Sequence, residues 1–424
     1  MTSRILAIMG SGETAPTMVK PHRALFERLG PDPVPAVLLD TPYGFQMNAD
    51  DISARAVEYF SASVGRRIDV AELRRTDGTD PVRREAAMAR IASARWVFAG
   101  PGSPTYALGQ WSGTDVPDLL GDKLAHGGCV VFASAAALTL GRYTVPVYEI
   151  YKVGADPVWA DGLDLLAPLL GPDVALIPHY DNAEGGNHDT RFCYLGEQRL
   201  ALLERQLPDD GWVLGVDEHT ALVLDIGANR ATVTGHGTVT VRRHGTSVIL
   251  GAGDSLSIDR LPSLTSGAPR ESESPAPIYE PAKDAPKSAL HAQIRQLEAE
   301  FEDAIAAADV SSAAAAILEL DEALAAWAGD TTQSDAGERG RAALRRMVVK
   351  LGSLAENGAR DPRDVVGVFV EGLLAERYEA RQGHRFADAD RIRDLLVGAG
   401  VEVRDTPDGT VWDLPGRDPG GPAG

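Results

Sequence analysis

The chain has 424 residues, of which 44% are hydrophobic and 24% charged, and its formal net charge is −20. This length exceeds one typical hydrophobic core and predicts two domains. The acidic balance argues against a general affinity for nucleic acid or anionic membranes, because both require clustered lysines and arginines, but it leaves a local basic site open. The two cysteines form no disulfide framework, and the first apolar run is too short for a signal peptide. Since no run approaches about 18 apolar residues, we expect a cytoplasmic protein with no membrane partner.

Residues 1–261 alternate short apolar runs with longer helical patterns. The runs are RILAIMG, PAVLLD, RWVFAG, CVVFAS and VALIPHY. Near-continuous runs of this kind predict parallel strands that helices cover on both faces. From Gly215 to Gly251 the pattern alternates and is β-branched, which predicts an antiparallel meander closing the domain. The predicted fold class is α/β, with a parallel-sheet domain followed by a small α-helical domain.

The composition changes twice after this domain. Residues 262–287 are dense in Pro, Ser and charge, which predicts an extended linker. Residues 288–416 carry apolar side chains at helical spacing and are acidic, which predicts a helical domain. The V-S-S sequence at 310–312 offers a cap between its first two helices, and two more helical stretches follow. We expect residues 417–424 to form a disordered tail.

Function in an open parallel sheet collects in the loops at the carboxyl ends of strands. Ser134 follows the run CVVFA, where close packing explains a serine at least as well as catalysis does. A serine nucleophile needs a base, a carboxylate that holds the base, and N–H donors facing the oxyanion. His179 and Glu218 lie at other strand ends and could supply the first two. Gly102 and the backbone N–H of Ala135 could form the oxyanion site.

Several motifs occur together with these residues: a glycine loop, a serine at a strand end, a P-H-Y strand end, and a final G-x-x-E. The residues that carry them downstream of the serine are Pro178, His179, Tyr180, Asn182, Ala183, Glu184, Gly185, Thr190, Arg191, Gly215 and Glu218. Over roughly residues 1–225, this order resembles the dipeptidase E and cyanophycinase family of serine peptidases, whose fold is similar to that of class I glutamine amidotransferases. The resemblance implies a Ser134–His179–Glu218 triad, which we expect at the carboxyl edge of one parallel sheet. It also implies that Arg191, with Arg199 as a weaker match, binds acidic groups of the substrate.

Two positions depart from the family's pattern. The family's serine lies in G-x-S-A-G-A, whereas Ser134 lies in F-A-S-A-A-A. Glycines on either side of a nucleophile let strand and helix pack closely, so the turn is either opened by compensating changes or no longer catalytic. Pro101 stands where the family tends to have glycine, and proline has no N–H to donate to an oxyanion.

Four more polar residues are candidate substrate contacts. Glu149 is also an alternative third member of the triad, and Lys152 could contact a substrate carboxylate, although surface or core pairing explains each equally well. Asn182 follows the histidine, and Glu13 lies in a loop that we expect at the mouth of the site.

The segment from His179 to Asp189 contains five His, Asp and Glu side chains. These residues lack the spacing of the helical H-E-x-x-H motif, so loop hydrogen bonding is the favoured interpretation. The loop GSGETAPT likewise lacks the spacing of a nucleotide-binding loop. We therefore predict neither a metal nor a cofactor.

Residues 373–414 contain an E-R-x-x-A-R helix, an F-A-x-A-D-x-I-R-D helix and a D-T-P-D-G-T-x-W turn. This order resembles the carboxyl end of cysteinyl-tRNA synthetases. The nucleotide-binding H-x-G-H and K-M-S-K-S signatures of those enzymes are absent, so we do not expect cysteine activation. The resemblance implies either a reused helical bundle or a tRNA adaptor that uses Arg377, Arg381, Arg391 and Arg393, and the acidic balance favours the bundle.

Together these patterns predict a serine hydrolase of the peptidase or amidase type that acts on a small acidic peptide or aminoacyl conjugate. The alternative is a catalytically silent adaptor with a degenerate pocket that binds a ligand or tRNA. The expected partner is a small-molecule or peptide substrate. A tRNA partner is the less favoured hypothesis, and a homo-oligomer stays open.

Overall fold

The computed structural model describes residues 3–183, 188–266, 289–307, 309–328, 336–359, 362–406 and 409–414. The chain divides into two compact units, Met1–Leu297 with Leu318–Ala342, and Glu298–Ile317 with Ala343–Gly424. The domain boundaries predicted at residues 261 and 288 stay a prediction. Most of the predicted linker, from residue 267 onward, and the whole predicted tail lie outside the described residues.

Strands and helices alternate through the first 204 residues, and strands predominate from there to residue 256. The strands are β1 (Arg4–Met9), β2 (Ala36–Leu39), β3 (Asp69–Val70), β4 (Trp96–Ala99), β5 (Gly128–Ala133), β6 (Tyr143–Thr144), β7 (Ala160–Asp161), β8 (Val174–Ile177), β9 (Trp212–Val216), β10 (Thr220–Asp225), β11 (Arg230–Gly235), β12 (Thr238–Arg243), β13 (Thr246–Gly251) and β14 (Ser255–Leu256). The α-helices are α1 (Val19–Glu27), α2 (Ala49–Tyr59), α3 (Pro81–Ser93), α4 (Pro104–Trp111), α5 (Val116–His126), α6 (Ser134–Leu138), α7 (Ala167–Leu170) and α8 (Gly196–Glu204).

The larger sheet has the strand order β14-β11-β10-β1-β5-β4-β2-β3. Its five strands from β1 to β3 are parallel, and β10 joins β1 in the antiparallel direction. Every residue of β5 is buried, as expected for a strand with helices on both faces. The five apolar runs correspond to β1, β2, β4, β5 and β8, and the predicted α/β fold class with a helical carboxyl-terminal region is confirmed.

A second sheet has the order β13-β12-β9-β8-β6-β7, in which β9, β8 and β6 are parallel. The predicted single meander after Gly215 is wrong. Strands β10 and β11 form a hairpin in the larger sheet, whereas β12 and β13 form a hairpin in the second sheet. Asp217 accepts hydrogen bonds from the N–H and the hydroxyl of Thr238, which fixes the start of β12 beside β9. Two separate hairpins and one meander share the same alternating pattern, so the sequence could not tell them apart.

The remaining elements are helical except for one terminal hairpin. They are α9 (Ala289–Ala306), α10 (Val310–Ala326), α11 (Ala336–Ala359), α12 (Pro362–Gln382), α13 (Phe386–Gly398), β15 (Glu402–Thr406) and β16 (Gly409–Asp413). Among the described residues after α10, three helices follow, where the sequence predicted two. Asp309, one residue before V-S-S, caps α10 by accepting from the N–H and hydroxyl of Ser312. Among the helices of the described residues, none combines the length and apolar character that crossing a membrane requires.

Candidate active site

Three side chains that follow different strands meet in a hydrogen-bonded row. Ser134 Oγ lies 2.8 Å from His179 Nε2, and His179 Nδ1 lies 2.7 Å from Glu218 Oε1. A carboxylate can only accept, so Nδ1 carries the proton and Nε2 is left to accept from the serine hydroxyl. The single parallel sheet expected beneath the three residues is not observed. Ser134 follows β5 of the larger sheet, whereas His179 and Glu218 follow β8 and β9 of the second sheet.

The turn at Ser134 forms without the two glycines of the family motif. Ala133 is extended, with φ −128° and ψ 152°, and Ser134 is left-handed, with φ +51°. A left-handed non-glycine residue costs about 1–2 kcal/mol, so the surrounding packing has to stabilise this turn. Phe132 and Ala136 stand at the two glycine positions and are fully buried, and the Ala136 N–H donates to the Gly100 carbonyl over 3.1 Å. A phenylalanine and an alanine therefore replace the two glycines, and the serine still reaches His179.

Glu218 is partly buried, with 12% of its side chain exposed, and has a second hydrogen-bond donor besides the histidine. The Asn182 side-chain amide donates to Glu218 Oε1 over 3.3 Å, and the Glu218 N–H donates to Asp181 Oδ1 over 2.7 Å. Burial alone would raise the pKa of Glu218, but the hydrogen bond and charge of His179, with the charge of His219 and the hydrogen bond from Asn182, hold that pKa below its usual value. Asn182 thus contacts the carboxylate, whereas the sequence placed it among the substrate contacts.

Glu149 and Lys152 lie on a turn of π-helix, Glu149–Val153. Glu149 Oε1 accepts from the Thr105 hydroxyl over 2.8 Å, and the exposed Lys152 ammonium lies 4.7 Å from the centre of the Tyr148 ring. Of the two glutamates proposed as third member of the triad, the structure joins Glu218 to His179 and Glu149 to Thr105 in the first turn of α4.

The glycine loop after β4 is held against the loop after β2. Gly102 has φ +140°, and a Cβ there would lie 2.0 Å from the Pro42 carbonyl oxygen, so only glycine fits. Ser103 donates its N–H to the same carbonyl over 2.9 Å and caps α4 by accepting from the Tyr106 N–H. Ala135 lies in the first turn of α6, where an N–H has no acceptor within the helix. This N–H is therefore suited to the oxyanion role that the sequence predicted.

Glu13 lies behind the glycine loop. Its side chain is buried, and a Cβ on Gly100 would lie 2.9 Å from Glu13 Oε1. The backbone carbonyl of Glu13 accepts from His22 Nε2 over 2.8 Å. Glu13 is therefore not at the mouth of the site, where the sequence predicted it. Its contact with Gly100 indicates that the buried side chain supports the turn at that glycine.

Arg191 is paired with a neighbouring carboxylate. Its Nε and Nη2 donate to the two oxygens of Asp189 over 2.9 and 2.8 Å, and its guanidinium lies 4.9 Å from the centre of the Phe192 ring. Two-point pairing of this kind uses the fork that would otherwise bind a substrate carboxylate. The sequence identified the residue type but not this partner.

A left-handed turn beneath His179 had no signal in the sequence. Phe192, Cys193 and Tyr194 have φ values of +60°, +56° and +65°. The Cys193 N–H donates to the His179 carbonyl over 3.1 Å, and the Phe192 N–H donates to the Tyr180 carbonyl over 3.0 Å. Burial raises the pKa of the Cys193 thiol to about 12, so the thiol stays protonated near neutral pH and is not a nucleophile.

Two acidic residues near the triad were not singled out as functional from the sequence. Asp181 and Asp217 flank the histidine and glutamate loops, and both side chains accept backbone hydrogen bonds. Asp181 is exposed, and desolvation of its carboxylate, with the charges of Asp217 and Glu218, raises its pKa above the usual value. Within the described residues, no three His, Cys, Asp or Glu side chains are placed to hold a metal ion, and Glu184 lies outside them.

The arginines proposed for tRNA contact have different surroundings. Arg377 is buried and donates through Nη1 and Nη2 to the two oxygens of Asp405, each over 2.8 Å. Arg381 shares Asp405, and the exposed Arg391 lies 3.4 Å from an Asp388 oxygen. Arg377 therefore joins α12 to the β15–β16 hairpin and does not face solvent.

No protein-family model matches the chain. The cysteine–tRNA ligase of Symbiobacterium thermophilum is 33% identical over 139 residues, which are 31% of this chain and 29% of that protein. The ligase of Cereibacter sphaeroides is 60% identical over 45 residues, 11% of this chain and 9% of that protein. The chain thus spans less than a third of the length of the ligases that it matches. The resemblance of part of this chain to cysteinyl-tRNA synthetases is confirmed.

Two solved structures are also similar to this chain. A peptidase from an acI-B1 Actinobacterium is 20% identical, with a TM-score of 0.49, over 60% of this chain and 97% of that chain. A putative peptidase E protein from Listeria monocytogenes is 12% identical, with a TM-score of 0.35, over 59% of this chain and 100% of that chain.

Proposed function

We propose that this protein is a serine hydrolase that cleaves a small amide, such as a peptide or an aminoacyl conjugate. The observation that carries the proposal is the continuous row of Ser134, His179 and Glu218, with both distances in the hydrogen-bond range. A serine, an imidazole and a carboxylate in this order form the arrangement that activates a hydroxyl nucleophile.

The proposed reaction has two stages. Ser134 Oγ attacks the amide carbonyl while His179 Nε2 takes the hydroxyl proton, and Glu218 holds the ring and stabilises its charged form. The Ala135 N–H and the Gly102 loop face the oxyanion. His179 then gives its proton to the leaving amine, which departs and leaves an acyl ester on Ser134. Water attacks that ester with the same histidine as base, which releases the acid and restores the serine.

The acidic character of the substrate was inferred mainly from Arg191, with Arg199 and Lys152 as weaker candidates. Because its guanidinium pairs with Asp189, we propose the amide class without requiring an acidic group. Variants of Arg191 test whether a substrate carboxylate exchanges with Asp189 at this position.

A fluorophosphonate probe tests the proposal, because it reacts covalently with activated serines. We expect full-length protein to be labelled at Ser134, and Ser134→Ala and His179→Ala to abolish the labelling. Ser93→Ala is a matched control, since Ser93 is an exposed serine at the end of α3. Equal labelling of the wild type and Ser134→Ala, or none of the wild type, would contradict the proposal.

A second candidate is a tRNA-binding adaptor, which the sequence similarity to cysteine–tRNA ligases favours. The burial of Arg377 and the net charge of −20 weigh against it. A gel-shift titration of the full chain with cysteine tRNA and an unrelated tRNA, at low and moderate salt, separates the outcomes. Tight and discriminating binding would support the adaptor, whereas no binding at low salt would remove it.

A further inference from the structure

His219, the residue after the triad glutamate, is held in a strained and crowded position. It is buried and left-handed, with φ +52°, and its N–H donates to the Ser11 carbonyl over 3.1 Å. A Cβ on Gly12 would lie 2.1 Å from His219 Nδ1, so the ring lies directly against that glycine. The Thr17 hydroxyl is 3.1 Å from the same nitrogen. The loop after β1 thus supports one side of the His219 ring.

The ring also contacts a residue more than 100 positions later in the chain. Trp327, just past the end of α10, is buried and meets His219 edge to face, with centroids 5.2 Å apart and planes at 77°. Both residues belong to the first compact unit. Edge-to-face pairs add about 0.5–1.5 kcal/mol beyond the area that they bury.

The sequence of α10 explains why the indole is held in place. Its buried residues recur at alternating spacings of three and four along one face: Ala313, Ala316, Leu320, Ala323 and Trp327. A helix with such a stripe packs along its length. A Cβ on Gly340 would lie 2.5 Å from Leu324 Cδ2 and 3.1 Å from Ile294 Cδ1, so α9, α10 and α11 approach closely at that glycine. Trp327 therefore extends from a packed group of three helices.

We infer that Trp327 is a positioning residue for the triad and acts through His219. A left-handed residue persists only where its surroundings hold it, and the turn from Asp217 to His219 carries Glu218 at its centre. Loss of the indole lets the His219 ring move and the turn relax, which shifts Glu218 relative to His179. The helices after the predicted linker thus contribute to the site as well as to the fold.

The test compares full-length wild type, Trp327→Ala, Trp327→Phe and the control Leu318→Ala, whose side chain is exposed on the same helix. The inference rests on the proposed hydrolase for its kinetic readout, which is the rate of Ser134 phosphonylation. We expect Trp327→Ala to slow it by about tenfold to 100-fold, the range that a small misplacement of a catalytic group produces. Trp327→Phe should restore it to within about threefold because the edge-to-face contact survives. Leu318→Ala should match wild type.

A second readout does not depend on activity. We expect amide hydrogen exchange in peptides covering residues 212–225 to be faster in Trp327→Ala and in His219→Ala, and unchanged in Leu318→Ala. The double variant should exchange no faster than His219→Ala, because the two side chains act through one contact. Unchanged exchange in Trp327→Ala, or additive effects, would overturn the inference. Absent labelling of the wild type would instead overturn the hydrolase, and exchange would still decide the role of Trp327.

Discussion

His179 and Arg377 are each paired with a carboxylate, and the two pairs differ in which nitrogen atoms they leave for other partners. His179 gives one ring nitrogen to Glu218 and directs the other at the Ser134 hydroxyl. Arg377 gives Nη1 and Nη2 to Asp405, and Nη1 also lies 3.3 Å from a Thr410 hydroxyl. We call the first an open pair and the second a closed pair. An open pair can do chemistry because a third group meets its remaining nitrogen, whereas a closed pair stabilises the fold.

Arg191 with Asp189 belongs with the closed pairs by its geometry, although the sequence assigned it to substrate binding. A basic side chain and a carboxylate therefore form part of the candidate active site in one place and a structural ion pair in another. The distinction predicts where each substitution has its effect: on reactivity for the open pair, and on stability for the closed pairs.

The largest effect should come from breaking the open pair. We expect Glu218→Gln to slow phosphonylation of Ser134 by about 10³- to 10⁴-fold, because an amide can hold the imidazole in the wrong tautomer. The matched control is Glu149→Gln, whose carboxylate contacts Thr105 and should cost less than about tenfold. The labelling rate of both variants measures the difference. A larger loss in Glu149→Gln would show that the third member of the triad has been misassigned.

Breaking the closed pair of Arg377 should act on stability. We expect Arg377→Ala to lower the free energy of unfolding around α12 by about 2–3 kcal/mol near neutral pH, measured by hydrogen exchange. This is less than for a fully buried pair, because the Asp405 side chain is 41% exposed. Arg385→Ala is the control, since its pair with Asp388 is at the surface and should contribute less than about 1 kcal/mol. Equal effects would remove the distinction between the two arginines.

The Arg377 effect should also depend on pH in one direction. The hydrogen bond from Arg377, with that of Thr410, holds the pKa of Asp405 far below its usual value. A carboxyl group with a depressed folded-state pKa stabilises the fold above its unfolded pKa and loses that contribution as pH falls. The difference between wild type and Arg377→Ala should therefore shrink as pH is lowered below about 4. A difference that grows in acid would contradict the assigned pairing.

The smallest effect should come from Arg191, for which we compare Arg191→Ala with Arg191→Lys. If its pair is closed, both variants lose the two-point grip on Asp189. We then expect both to change the preference for an acidic over an uncharged amide substrate by less than about threefold, compared as kcat/KM. A loss of acidic preference that is marked in the alanine variant and mild in the lysine variant would move Arg191 to substrate binding. That outcome would restore the acidic substrate to the proposal.

Residue types at strand ends were predictable, and their partners were only partly so. Ser134 and His179 each follow an apolar run, and that pattern, together with the family resemblance, made both of them candidates for the site. The residue pattern alone did not separate Glu218 from Glu149, because each lies at a plausible loop. The family resemblance favoured Glu218, and the three-dimensional path brings that residue to His179. The sequence also did not show that the strands before Ser134 and His179 belong to two different sheets, since strand pairing depends on contacts between distant segments.

The family motif predicted the geometry of the nucleophile turn only in part. The missing glycines left a catalytic geometry in doubt, and the structure keeps the serine within 2.8 Å of the histidine with alanines on either side. Backbone strain at Ser134, His179 and His219 has no signature in residue periodicity. It depends on contacts such as Gly12 against His219, which join loops that are distant in sequence.

By itself the sequence determined the α/β class, the helical carboxyl-terminal region and the loops in which Ser134, His179 and Glu218 lie. These features follow from local hydrophobic periodicity and from short motifs, which a chain carries whatever its tertiary contacts are. Only the tertiary structure decided which carboxylate holds His179, that Arg191 and Arg377 are tied to their own aspartates, and that Trp327 meets His219. Those outcomes are set by distances between segments far apart in the chain, because a polar side chain pairs with whichever partner the packed core brings within hydrogen-bond reach.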